Sequence, residues 1–198
     1  MIPHDRKTLA PGIPDECFIR GPVPMTKEEI RTVALAKGKL FPGAVVYDLG
    51  SGTGSIAIEA ALLACRGQVF AYEKNPAAVA LIEQNKERFG VSNLQVIPAE
   101  APDGLEHLPL AHTVFIGGSG GRLEEILQKS LTQLHPGGRI VMDAITVETL
   151  ATGLGFAKAH GLRAEAVTVS VSRLEEIGSY HMWKALNPVH IITLTLEV

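Results

Sequence analysis

Asp48-Leu49-Gly50-Ser51-Gly52-Thr53-Gly54 is the segment of this 198-residue chain best suited to hold a small ligand. It joins an apolar run, Ala44-Val45-Val46-Tyr47, to a helical stretch from Ser55 to Cys65. Glycines there let the backbone approach a ligand, and the helix N-terminus offers free N–H donors. Glu73 closes the next apolar run, Gln68-Val69-Phe70-Ala71-Tyr72. Open α/β sheets bind ligands at that carboxyl edge, where a carboxylate can accept from both hydroxyls of a ribose. Ala99-Glu100-Ala101-Pro102 follows a third run, Leu94-Gln95-Val96-Ile97, on the same edge and is placed to wall in an adenine.

The chemistry of the loop's edges discriminates between nucleotide ligands. Ser55 stands where a dinucleotide loop carries its third glycine, and Asp48 adds a carboxylate that repels a pyrophosphate. A nicotinamide-binding domain of a redox or sensing protein is disfavoured on both counts. A ligand bearing an ammonium and a sulfonium is attracted by Asp48, while its own carboxylate can use the helix N-terminus. S-adenosylmethionine (SAM) combines these groups. The candidate cofactor residues are therefore Asp48, Gly50, Ser51, Gly52, Thr53, Gly54, Glu73, Glu100 and Ala101.

These residues need an alternating α/β framework to position them. Residues 1–25 carry Pro3, Pro11, Pro14, Pro22 and Pro24, which deny them helix or central strand and predict an extended arm across the domain formed by residues 26–198. Thr26-Lys27-Glu28-Glu29 reads as a capping box opening a helix that stops at Pro42-Gly43. Further strands are expected over 112–116 and 139–144, with helices over 76–89, 122–134 and 147–160 between and after them. The rhythm changes at the end, where 164–172 and 189–197 read as two strands with no helix between them. The fold class predicted is α/β and Rossmann-like: five parallel strands plus a C-terminal antiparallel pair make a seven-stranded, mostly parallel sheet with helices on both faces.

Composition sets limits on function. The chain has 18 Lys+Arg against 21 Asp+Glu, a net charge of -3, which supplies no global attraction for nucleic acid or anionic membrane. Its start has no apolar leader and its most apolar helix is interrupted by Glu59. Cys17 and Cys65 are the only cysteines, and Cys65, after an Ala/Leu run, reads as a small buried hydrophobe. A reducing, cytoplasmic setting fits. The seven histidines have no metal-ligand spacing, so no metal is expected.

The sequence resembles the class I SAM-dependent methyltransferases, and more closely the decarboxylating precorrin methyltransferases of cobalamin biosynthesis. Those are the cobalt-precorrin-6B C15-methyltransferases, a domain also found as the C-terminal half of precorrin-6Y C5,15-methyltransferases. The closer match is carried by Pro14-Asp15-Glu16-Cys17-Phe18-Ile19-Arg20, Pro24 to Arg31, Gly50 to Gly54, Gly117-Gly118-Ser119-Gly120-Gly121, Pro136-Gly137-Gly138-Arg139-Ile140 and Asn187-Pro188-Val189. By position it implies SAM contacts at Thr26, Gly50 to Gly54, Glu73 and Ala101. Two departures stand out: this chain has Ala99-Glu100 where the family more often has Gly-Asp, and Glu73 where it more often has Asp.

The reaction implied is methylation of C15 of a reduced tetrapyrrole, precorrin-6 or cobalt-precorrin-6, with loss of carbon dioxide from a ring acetate, by a homotetramer. In-line transfer from a sulfonium needs alignment and dryness more than a strong base, and no catalytic residue is assigned from sequence. A substrate rich in carboxylates needs local cations, for which Arg20, Lys27, Arg122, His181 and Lys184 are candidates. Gly118 and Ser119 belong to a glycine floor that would admit a flat macrocycle. The alternative is a methyltransferase of the same fold acting on another small molecule or on RNA. Amine-methylating enzymes place Asn/Asp-Pro-Pro-aromatic where this chain has glycines. The strand over 167–172, alternating apolar with small polar residues, suits an edge that meets another subunit.

Overall fold

The computed structural model describes residues 11–196. Residues 1–10 of the expected arm, with Pro3 and His4, and Glu197 of the expected last strand lie outside the described residues. Five β-strands form the parallel core: β1 (Val45–Leu49), β2 (Gln68–Tyr72), β3 (Leu94–Ile97), β4 (Ala111–Ile116) and β5 (Leu134–Ala144). Val, Ile, Phe and Tyr fill them because both faces are covered, which is the condition of a parallel sheet. Two further strands, β6 (Arg163–Val169) and β9 (Val189–Thr195), complete a seven-stranded sheet in the order β3-β2-β1-β4-β5-β9-β6. β9 runs antiparallel to both its neighbours. The connection reverses direction between β1 and β4, so the loops after those strands part there and open a crevice at the carboxyl edge.

Helices α1 (Glu28–Gly38), α2 (Ser55–Leu63) and α3 (Pro76–Phe89) cover one face; α4 (Leu123–Thr132) and α5 (Val147–Ala159) cover the other. Asn75 caps α3 by accepting from the Ala77 N–H at 3.0 Å, with Pro76 in the first turn, and Gly90 ends it in the left-handed region. The architecture is the one the alternating pattern predicts, and its element boundaries differ by a few residues.

Three local expectations are corrected. The Thr26–Glu29 capping box does not form: Lys27 is the N-cap with no side-chain bond. The Thr26 carbonyl instead accepts from Arg31 at 2.6 Å, and the Glu29 carboxylate is drawn outward by Arg173, with bonds of 2.6 and 3.0 Å. Cys65 is exposed, because α2 ends two residues before it. The single strand expected over 164–172 breaks after Val169, and the segment up to Val189 holds an unforeseen hairpin, β7 (Ser172–Ile177) and β8 (Tyr180–Ala185), forming a two-stranded sheet of its own.

The arm is locked down by charge. Arg31 on α1 is fully buried (0% exposed) and donates from Nε to Glu59 of α2 at 2.5 Å. It also donates to Asp15 at 3.3 Å, to the Thr26 carbonyl, and to the Ile13 carbonyl. The Glu59 carboxylate in turn accepts from the Gly12 and Ile13 N–H groups at 2.8 and 3.1 Å, and the Phe18 ring stacks against the guanidinium. Glu59, which reads as an interruption of an apolar helix, is therefore the partner that makes a buried arginine tolerable. Asn85 of α3 adds a second tie: it accepts from the Ile19 N–H at 2.7 Å and donates to the Ile19 and Thr53 carbonyls at 3.1 Å each. Breaking a buried pair by removing one partner leaves the other charge uncompensated. Arg31→Met is expected to destabilise by about 3–5 kcal/mol, a fall in melting temperature on the order of 10 °C for a domain of this size, measurable by calorimetry.

Candidate functional site

The carboxyl ends of β1 to β5 and the arm segment from Val23 to Lys27 enclose one cleft of about 520 Å³. Gly50, Ser51 and Gly52 line it after β1, Glu73 after β2, Ala99 to Ala101 after β3, Gly117 to Gly120 after β4, and Asp143 near the end of β5. Two glycines are required by close approach. A Cβ on Gly50 would sit 2.5 Å from the Gly118 carbonyl oxygen, so the loops after β1 and β4 touch backbone to backbone, and the Gly117 N–H donates to the Leu49 carbonyl at 3.0 Å. A Cβ on Gly52 would meet the Pro24 carbonyl oxygen at 2.9 Å, which is how closely the arm lies over the loop. Both have positive φ, +74° and +56°, which side chains disfavour.

Of the residues expected from sequence, Thr26, Asp48, Gly50, Ser51, Gly52, Glu73, Glu100 and Ala101 line the cleft, as do Gly118 and Ser119. Thr53 and Gly54 do not. Gly54 is glycine because a Cβ would press to 2.9 Å of Ile82 on α3, and Thr53 is buried beneath the loop, its hydroxyl without a hydrogen-bond partner among the described residues. Arg20 is exposed outside the lining. Arg122 lies elsewhere, bound to Glu125 at 2.8 Å and Asp103 at 3.0 Å, carboxylates that push its already high pKa further up. Lys184 pairs with Glu175 on the hairpin, at 3.1 Å, and neither it nor His181 reaches the lining. Of the expected cations, Lys27 alone lines the cleft; Lys74 does too, and is held by Glu100 at 2.5 Å. No group of three His, Cys, Asp or Glu side chains fit to hold a metal occurs among the described residues.

The Glu73 carboxylate is oriented by backbone donors, accepting from the Gly52 N–H at Oε2 and the Asn75 N–H at Oε1, both 2.9 Å. Each oxygen retains acceptor capacity for a ligand hydroxyl. Asp48 is 1% exposed and accepts from the Ala57 N–H at 3.1 Å. Burial pushes its carboxyl up to about 7, against hydrogen bonds from Ser51 and Ala57 that lower it, with the Glu73 charge adding to the rise. Asp143 is a site residue that sequence reasoning missed. Burial and the Asp48 charge push it, too, to about 7. Its signal was present in Arg139-Ile140-Val141-Met142-Asp143, an acidic residue ending an apolar strand on the Glu73 edge.

Residues 17–196 match the family model described as precorrin methyltransferase domain. The chain belongs to the precorrin methyltransferase family. It is 42% identical over 185 residues to the Salmonella typhimurium cobalt-precorrin-6B C(15)-methyltransferase (decarboxylating), covering 92% of this chain and 95% of that one. A probable enzyme of the same name from Sulfurisphaera tokodaii is 43% identical over 92% of this chain and 96% of its own length. Among solved structures, precorrin-6y C5,15-methyltransferase from Geobacter metallireducens superposes with a TM-score of 0.89 at 38% identity, covering 95% of this chain and 99% of that chain. The precorrin methyltransferase family thus accounts for the Rossmann-like class I fold and for nearly the whole chain.

The raised Asp48 carboxyl has a stability consequence. Its folded pKa lies above the unfolded value near 3.8, so the folded state holds the proton more tightly between those values, and stability is lost as pH rises from about 4 through 7. Asp48→Asn keeps an acceptor for the Ala57 N–H and removes the charge. The variant is expected to melt above wild type at pH 8, with the gap closing by pH 4; no gap at pH 8 contradicts the burial account.

Proposed function

We propose that the chain is a SAM-dependent methyltransferase that methylates C15 of cobalt-precorrin-6B or precorrin-6B and removes carbon dioxide from a ring acetate. The observation that carries this reading is the convergence of the Asp48–Gly52 loop, Glu73 and the Gly117–Gly120 floor in one cleft of a chain 42% identical to an enzyme of that name. The described residues before Thr26 act as an arm on a single methyltransferase domain.

The residues fit the cofactor. Gly50 and Gly52 leave a cradle that Cβ atoms would fill, Glu73 presents free lone pairs beside it, and Asp48 supplies a buried acceptor for a cation. Thr26, Asp48, Gly50, Ser51, Gly52, Glu73, Glu100 and Ala101 would hold it, with Glu73 taking the ribose hydroxyls and Asp48 the ammonium. When bound, SAM supplies an electrophilic methyl group on a sulfonium. The protein's own work is alignment: Gly117 to Gly120 give a flat floor without side-chain bulk except Ser119, and the arm over Gly52 excludes water. An ammonium beside Asp48 favours its ionised form, so cofactor binding below pH 7 is accompanied by proton release.

We also propose that the enzyme is a homo-oligomer, the tetramer implied by the resemblance. β6 is a free sheet edge, and the hairpin exposes Leu174, Ile177, Tyr180, Met182 and Trp183. No helix among the described residues is long and apolar enough to cross a membrane. A small tetrapyrrole acceptor is favoured over RNA by the glycine floor, and a cytoplasmic location is retained.

The deciding experiment is anaerobic incubation with SAM and the tetrapyrrole, followed by mass spectrometry. Gain of one methyl with loss of carbon dioxide is expected; an unchanged tetrapyrrole in the presence of demonstrated SAM binding overturns the acceptor assignment. Glu73→Gln, tested by calorimetry without tetrapyrrole, is expected to weaken SAM binding by about 10- to 100-fold, the worth of hydrogen bonds to a charged acceptor.

A further inference from the structure

The cleft divides along the sheet. Its cofactor half lies over β1, β2 and β3, where Asp48, Glu73 and Glu100 stand; its other half lies over β4, β5 and the start of β9. Asp143 lines that second half in company with Gly117 to Gly120, Ile145 and Val189, and Glu100 reaches its edge, 3.1 Å from where a Cβ on Gly120 would sit. It shares a sheet face with Asp48, because Asp48 aligns with Phe115 of β4 and Phe115 with Val141 of β5, two residues before it. Two strand spacings across the sheet and two residues along it separate their Cα atoms, about 12 Å. No hydrogen bond or ion pair from the described residues engages the Asp143 carboxyl. An acid that opens into a cleft without a structural partner is poorly explained by folding and well explained by use.

The reaction proposed above has a proton requirement of its own. When the methyl group adds to a meso CH, that carbon must lose its hydrogen as a proton to restore conjugation. When the acetate C–C bond breaks, carbon dioxide departs, the bonding pair stays with the macrocycle, and the remaining methylene must gain a proton to become a methyl. The methyl arrives as a cation equivalent and one carboxylate charge leaves, so charge balances and no net proton is consumed. One carboxyl group can serve both demands.

We propose that Asp143 is the catalytic acid and base of the acceptor half, giving its proton to the methylene left by decarboxylation and taking back the proton released by the methylated meso carbon. The inference rests on the function proposed above. A carboxyl poised near 7 can do both at physiological pH. The charged groups that line the same cleft are Asp48 and Glu73 on the neighbouring strand ends, Lys27 at the start of α1, and Lys74 with Glu100 beyond them; His190 on β9 is held by Thr168 at 2.9 Å. Burial and the Asp48 charge keep the proton on Asp143.

The test compares wild type, Asp143→Asn and Asp143→Glu in the anaerobic assay, with melting temperature and SAM affinity measured alongside. Asp143→Asn is expected to lower the decarboxylated product about 100-fold and to abolish the limb of the pH–rate profile near 7, while SAM affinity holds and the melting temperature does not fall. Asp143→Glu is expected to restore part of the rate and a displaced limb. An asparagine variant with the wild-type rate and profile overturns the assignment, and so does a loss of rate matched by a loss of SAM affinity or of folding. Wild type that leaves the tetrapyrrole unchanged overturns the function itself, and does so before any variant is compared.

Discussion

The buried guanidinium of Arg31 is the constraint on which the site depends. A fully buried cation has to be neutralised and hydrogen-bonded, and the partners it recruits come from three separate places: Asp15 and Ile13 in the arm, Thr26 at the entrance to α1, and Glu59 in the middle of α2. Satisfying one arginine therefore fixes the arm against two helices at once. With both ends of the 13–26 segment pinned in this way, Val23 and Pro24 are carried over Gly52, and the cleft acquires its roof. Asn85 repeats the device at smaller scale, joining Ile19 of the arm to Thr53 beneath the loop. The arm is thus held by polar groups on helices whose first turns border the ligand loop.

A second tension lies in the loop itself. Asp48 is buried in the sheet, and its desolvation is unfavourable in the ionised form. Placing Asp143 on the same face worsens this, since each carboxylate disfavours ionisation of the other. A protein selected only for stability would put apolar residues at both positions. Keeping two acids there makes sense where a cation is to be bound at one end of the cleft and a proton held at the other, which is the usual exchange of stability for chemistry at a site.

The glycine loop and Glu73 were legible in the sequence because their chemistry is local: a turn between strand and helix, and a strand end, are each defined by a handful of consecutive residues. The sheet was legible for the same reason, as period and punctuation in a chain of alternating elements. The Arg31–Glu59–Asp15 cluster was not, since its members are far apart in sequence and Glu59 by itself only looks misplaced in Ile-Ala-Ile-Glu-Ala-Ala. The capping box failed through competition, as Arg31 and Arg173 offered Thr26 and Glu29 stronger partners than a helix end could. The β7–β8 hairpin escaped notice because its residues are mostly exposed and show no buried alternation, although Gly178-Ser179 between two β-rich runs is a turn signal. Thr53 and Gly54 carry the loop motif, and the packing of Gly54 against Ile82 and the bond from Asn85 to the Thr53 carbonyl, which the motif does not show, tie them to the fold as well.

The distribution of charge in the cleft constrains how a polycarboxylate tetrapyrrole could sit. Four carboxylates line it, against Lys27 and a Lys74 already held by Glu100. Most acetate and propionate groups of such a substrate must then point out of the cleft, toward water. The acetate that is to react is the exception, because its carbon has to come within reach of Asp143, beside Ile145 and Val189. A carboxylate brought into that apolar and acidic corner loses hydration and stands beside another acid. Leaving as neutral carbon dioxide relieves both penalties, so the same placement that holds the proton on Asp143 also favours the bond that must break.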